Sequence, residues 1–98
     1  MSLTNKQQRF LRSMAHSLKP VVIIGNAGLS DGVINETHLA LETHELIKVR
    51  VNAETRDDRT NITKQLTEQT DSLLVQNIGH IAIIYRPRKK NPDINLPK

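Results

Sequence analysis

An α/β domain with a mixed sheet of about four strands is what three features of this chain predict. Its 98 residues suit one domain with one core, here taken as residues 1–98 with a basic, proline-containing tail over 87–98. Ten Ile, eleven Leu and six Val can fill such a core, and the pattern is too regular and too aliphatic for a disordered chain. Helical and strand periodicities alternate along the chain in the order αβαβαββ. Alternation of this kind packs helices on a sheet, and the parallel crossover it implies should be right-handed. No internal repeat and no linker interrupts it.

The first helix should start near Asn5, because Thr4 and Gln7 have the spacing of a capping box. Leu3, Phe10, Leu11, Met14 and Leu18 form its apolar stripe, with Lys6, Arg9, Arg12 and His16 opposite. Pro20 ends the segment and pushes Lys19 toward extended backbone. Val21–Ile24 then reads as a buried strand, apolar and mostly β-branched. Ser30 is placed to cap a second helix running to about Thr43, with Val33, Ile34, Thr37, Ala40 and Leu41 inward. Leu46–Ala53 alternates: Ile47, Val49 and Val51 on one face, Lys48, Arg50 and Asn52 on the other. A third helix follows from about Asp57 to Gln69, capped by Thr55 or Asp57, with only Ile62 and Leu66 as an apolar stripe. Leu73–Ile78 and His80–Tyr85 are two strands joined at Asn77-Ile78-Gly79-His80, a sequence suited to a tight hairpin. In the tail, Ile94–Leu96 could add an edge strand.

Composition narrows the functions open to such a domain. There is no Cys, hence no disulfide and no thiolate metal site, which fits a reducing cytoplasm. The apolar runs Val21–Ile24 and Ile81–Tyr85 are far shorter than the ~20 residues a membrane helix needs. The acid-free first 18 residues have the composition of a mitochondrial transit peptide, but their apolar stripe suits a folded helix. The net charge of +4 is unevenly spread. Residues 1–28 carry Lys6, Arg9, Arg12 and Lys19 with no acid, and residues 86–98 carry Arg86, Arg88, Lys89, Lys90 and Lys98 against Asp93. The middle is net acidic, so a fold that joins the two ends would offer one cationic face to a polyanion.

Catalytic and cofactor signatures are not found. The Gly-x-x-x-x-Gly-Lys loop of nucleotide-binding proteins fails at Ser30, and the dinucleotide fingerprint has no counterpart. His16, His38, His44 and His80 lack metal-ligand spacing. The carboxylate pairs Glu42/Glu45 and Asp57/Asp58 are explained by capping and solvation, and no nucleophile elbow accompanies any serine. The expectation is therefore no catalytic residue, no metal, no cofactor and no small-molecule substrate. Phe10 should be core and Tyr85 half-buried, which leaves no aromatics for stacking bases. A nucleic acid would then be held by backbone and shape.

One local motif does carry chemistry. Gly25-Asn26-Ala27-Gly28 stands between the first strand and the second helix. Two glycines at this spacing allow a sharp turn and close approach of a partner. The helix behind them presents unpaired amides and a positive dipole end, a combination that attracts phosphate. Asp31 opposes this charge unless it lies within the first helical turn, where it favours the dipole.

Several segments, taken in order, resemble the CRM domain family (chloroplast RNA splicing and ribosome maturation), and most closely its single-domain bacterial YhbY-like members. Leu18 to Val33 resembles the family signature, His44 to Val49 its second strand, and Val75 to Gly79 with Tyr85-Arg86-Pro87 its closing hairpin, so that residues 3–88 are covered. The resemblance implies a fold similar to the C-terminal domain of bacterial translation initiation factor 3. It also implies RNA binding through a loop that acts like that of KH domains. By position the RNA-binding residues would be Gly25, Asn26, Ala27 and Gly28, with Lys19, Lys6, Arg9, Arg12 and Lys48 at the family's basic positions. Arg86, Arg88, Lys89 and Lys90 would add phosphate contacts from the tail. Two departures stand out: Asn26-Ala27 where many relatives carry a loop lysine, and no glycine at Gln69-Thr70-Asp71 where the third helix ends. The partner implied is ribosomal RNA in precursors of the large subunit; the protein itself is expected to be a cytoplasmic monomer. The alternative is a protein-binding adaptor of the ribosome or its precursors without direct RNA contact.

Overall fold

A computed structural model describes residues 2–98, so Met1 lies outside the described residues. Helix α1 covers Asn5–Ala15, followed by strand β1 (Pro20–Ile24), α2 (Asp31–His44), β2 (Leu46–Val51), α3 (Arg56–Thr70), β3 (Leu73–Ile78) and β4 (Ile81–Tyr85). The four strands form one sheet in the order β1-β2-β4-β3. β1 and β2 are parallel, and β4 is antiparallel to both β2 and β3. The mixed α/β sheet is the one the alternation predicts.

The helix starts follow the side chains that satisfy their first amides. At α1 the Gln7 amide donates to Thr4 Oγ1 at 3.1 Å while the Thr4 amide donates to Gln7 Oε1 at 3.0 Å. Ser30 Oγ accepts from the Val33 amide at 3.2 Å, and Thr55 Oγ1 from the Asp58 amide at 3.1 Å. Helix α3 runs to Thr70, one residue past expectation. It stops without glycine because Asp71 adopts left-handed φ 54° and ψ 45°. The Ser72 amide then donates to the Thr67 carbonyl at 3.0 Å, closing a Schellman motif. The hairpin turns at Gly79, whose φ of 56° suits the first central position of a mirror-image turn.

Helices α2 and α3 cover one face of the sheet. Val22, Ile24, Leu41, Ile47, Val49, Val51, Leu66 and Ile84 are buried there. The inward sides of these helices are partly polar: Thr37, Thr63 and Thr70 are buried, and the Thr37 and Thr70 hydroxyls donate to the carbonyls of Val33 and Leu66. Helix α1 packs on the other face, where Leu11, Ala15, Leu46, Val75, Ile83 and Tyr85 form a second core.

Several expectations change at this second face. Helix α1 lies against β2 and β3, which leaves the β1 side of the sheet uncovered. Val21 and Ile23 are therefore 45% and 59% exposed, and β1 is an edge strand with one open face, not a buried one. Leu11 and Ala15 make the helix contact, while Phe10, Met14 and Leu18 remain 37%, 39% and 37% exposed. Tyr85 is fully buried, because α1 closes over the end of β4. Burial raises the pKa of its hydroxyl above the ordinary value of 10.0, and the nearby Glu45 charge raises it further. The tail adds no strand at Ile94–Leu96. Instead Ile94 and Leu96 pack beside the second core. Gln7 Nε2 holds the Pro97 carbonyl at 3.0 Å.

Candidate functional site

The Gly25–Gly28 segment leaves the sheet at the carboxyl end of β1 and closes on itself, the Gly28 amide donating to the Gly25 carbonyl at 3.0 Å. Gly28 has φ 75°, a region that side chains enter at a cost. Gly25 does not need to be glycine for its own backbone, and a Cβ there would meet no atom within 4 Å. Its use is the bare surface it leaves. Gly25, Asn26 and Ala27 are exposed, so the bend is open to a partner. Asp31 lies in the first turn of α2, where it offsets the dipole. The positive helix end behind the loop is thus partly offset by Asp31.

Strand direction decides which cations can serve. Lys19 precedes β1, so it is separated from Gly25 by about 20 Å of extended chain. The tail leaves from the same distant end, because Tyr85 at the end of β4 pairs with Leu46 at the start of β2. The two chain ends therefore do not ring the loop with charge, contrary to expectation. Arg9 and Arg12 border a surface groove with Gln76 of β3, the sheet edge farthest from β1. Lys89 and Lys90 are exposed at the distant end, and Lys6 is exposed on α1.

Arg86 and Arg88 turn inward. The Arg86 guanidinium donates to His38 Nδ1 at 2.9 Å, to the Thr70 carbonyl at 2.7 Å and to Glu42 Oε1 at 3.2 Å. It ties the last turn of α3 to α2. Arg88 pairs with Asp93 at 2.7 Å and donates to the Asn91 carbonyl at 3.2 Å.

Two residues escaped the sequence reading. Arg50 is exposed and pairs in register with Ile23, two residues before the loop. Lys48 pairs with Pro20, beside Lys19. Lys48 and Arg50 share the α1 face with Leu46, since Ile47, Val49 and Val51 point into the other core. Arg50, Lys48 and Lys19 thus form a line of cations along the open half of the sheet, from the loop to the far end of β1. The alternation at 46–53 was the available signal for Arg50. The second residue is Glu45, fully buried at φ 63°. Its carboxylate accepts from the amides of Arg88 at 2.7 Å, Asp93 at 2.6 Å and Ile94 at 3.0 Å.

Among the described residues no three His, Cys, Asp or Glu side chains gather as a metal site, and no helix is long and apolar enough to cross a membrane.

Comparison with known proteins returns one consistent result. Residues 3–86 match the family model described as the CRS1 / YhbY (CRM) domain. A protein of Haemophilus influenzae named as an RNA-binding protein is 42% identical over 97 residues, spanning 99% of this chain and 97% of that one. One of Pseudomonas aeruginosa, named as a probable RNA-binding protein, is 45% identical over 96 residues, spanning 98% and 91%. The solution structure of a hypothetical protein from Staphylococcus aureus superposes with a TM-score of 0.85 at 44% identity, covering 98% of this chain and all of the other.

Proposed function

This chain belongs to the CRS1/YhbY (CRM) domain family, and on that premise we propose that it is a non-catalytic RNA-binding protein. The Gly25–Gly28 loop holds a sugar–phosphate segment by its backbone, with Asn26 as the polar side chain at its tip. Arg50, Lys48 and Lys19 neutralise the phosphates that follow. The observation that carries this reading is the open loop at one end of a line of cations on an uncovered sheet face. Lys6, Arg9 and Arg12 on α1 and Lys89 and Lys90 in the tail add a weaker, long-range attraction. Arg86 and Arg88 have less to offer, their guanidinium groups being engaged within the protein. The target is ribosomal RNA in precursors of the large subunit, and the protein works as a cytoplasmic monomer. The identity of the target rests on the family resemblance, and the compartment on the absence of Cys.

The test is a binding titration on fragments of large-subunit ribosomal RNA across a salt series. Each single-strand phosphate neutralised adds about 0.7 to the negative log–log slope. Gly25→Asp places a carboxylate on the open loop without steric conflict, and affinity should fall tenfold or more with no change in melting temperature. Lys48→Ala with Arg50→Ala should flatten the slope by about 1.4. Equal binding by wild type and these variants overturns the site. An adaptor working through protein contacts alone would bind its partner with little dependence on salt or on Gly25→Asp.

A further inference from the structure

Helix α1 and strand β1 stand on either side of a trough. On the helix side are Phe10, Met14 and Leu18, spaced four residues apart; on the strand side are Val21 and Ile23, alternate residues of β1. All five are more than a third exposed. At the end near Lys19 the trough deepens into a cavity of about 440 Å³, where Met14, Leu18 and Val21 meet Ile94 from the tail. Apolar side chains left uncovered together on a small protein mark a candidate site of contact. Lys19 lines this cavity, while Lys48 and Arg50 sit on the neighbouring strand β2 in register with Pro20 and Ile23 of β1. Asp93 is the single acid that lines the cavity.

We propose that this trough holds an unpaired RNA segment with its bases against the apolar walls, which makes the ligand single-stranded RNA and not a duplex. The inference rests on the RNA-binding reading above and names the form of RNA. A duplex turns its sugars and phosphates outward and hides its base faces, so it could meet the cations but would leave the five apolar side chains facing water. A single strand offers both surfaces at once: phosphates for Lys19, Lys48 and Arg50, and base faces for Phe10, Met14, Val21 and Ile23. Lys48 and Arg50 lie two residues apart on one strand, about 6.6 Å, and Arg50 is in register with Ile23, two residues before Gly25, so an RNA strand laid along β1 from Lys19 would reach the loop. Charge complementarity and this continuity favour RNA over a protein segment as occupant. Phe10, expected in the core, is at the surface and leaves one aromatic ring available for base contact.

The experiment compares one oligoribonucleotide of about twelve residues, free and annealed to its complement, at a single salt concentration. The wild-type protein should bind the free strand at least tenfold more tightly. Ile23→Ser and Met14→Ser, both at exposed positions, should remove most of that preference and leave binding of the duplex, and the melting temperature, unchanged. Gly25→Asp should weaken both ligands. If neither RNA binds, the RNA-binding reading itself fails. If duplex and single strand bind equally, or if Ile23→Ser and Met14→Ser keep the full preference, the trough does not hold bases and the inference is overturned. An acidic protein segment as the true occupant would give this last result.

Discussion

Glu45 is the most constrained side chain in the molecule: fully buried, in a backbone region hostile to β-carbons, and ringed by amides of the tail. Its charge acts on Tyr85, whose proton is held more firmly than in water by burial and by that neighbour. The linkage has a definite sign. A folded pKa above the unfolded one means the native state keeps its proton longer. The resulting stabilisation is whole below pH 10 and is lost as pH rises through the folded value. Melting temperatures of wild type and Tyr85→Phe measured from pH 8 to above pH 11 should therefore separate. The wild type should lose more stability on the alkaline side. Parallel curves would show that Tyr85 titrates as it does in the unfolded chain.

Among the elements, the end of α3 invites the simplest substitution. Asp71 holds left-handed backbone at the position where a Schellman motif favours glycine. Asp71→Gly should stabilise the fold by roughly 1 kcal/mol, the lower end of the ~1–2 kcal/mol that such backbone costs an L-residue. Urea denaturation should show a higher midpoint at unchanged slope, and a lower midpoint would refute the strain. The same helix explains what was legible in the sequence. Caps announce themselves over three residues, so Thr4 and Ser30 could be read directly and Thr55 as one of two candidates. Strand alternation at 46–51 was equally plain. The inner face of α3 was faint because Thr63 and Thr70 fill it, the latter with its hydroxyl turned back on the helix. The loop was legible as a local motif. Lys19 and Lys48 were named among its cations and Arg50 was not, and their arrangement was not legible, because charge counted along the chain carries no information on which end of a strand a residue reaches. Nor could spacing show that Arg86 is spent on His38, Thr70 and Glu42, or that Glu45 grips the tail, since those partners lie 16 to 49 residues apart.

For the molecule as a whole, the tail is a structural part and not an appendage. Residues beyond Pro87 supply all three amides that meet the Glu45 carboxylate, and Ile94 and Leu96 pad the α1 core. Deleting residues 88–98 would leave that carboxylate at the junction of α2 and β2 without donors, although water would enter as the tail departs. Losing hydrogen bonds to a charged buried group costs about 1.5–3 kcal/mol each before such relief, so a net loss of about 2–4 kcal/mol is expected. A double-mutant cycle separates the carboxylate from the lost apolar contacts. Glu45→Gln should destabilise the full chain clearly, yet cost little in the chain truncated at Pro87, where nothing remains for the carboxylate to hold. If Glu45→Gln costs the same in both, the amide contacts contribute nothing and the tail is held by Ile94 and Leu96 alone. The truncation also reaches the proposed RNA surface, because Ile94 walls the deep end of the trough. The truncated chain should keep the share of the salt slope set by Arg50 and Lys48, lose the smaller share from Lys89 and Lys90, and lose part of its preference for an unpaired strand.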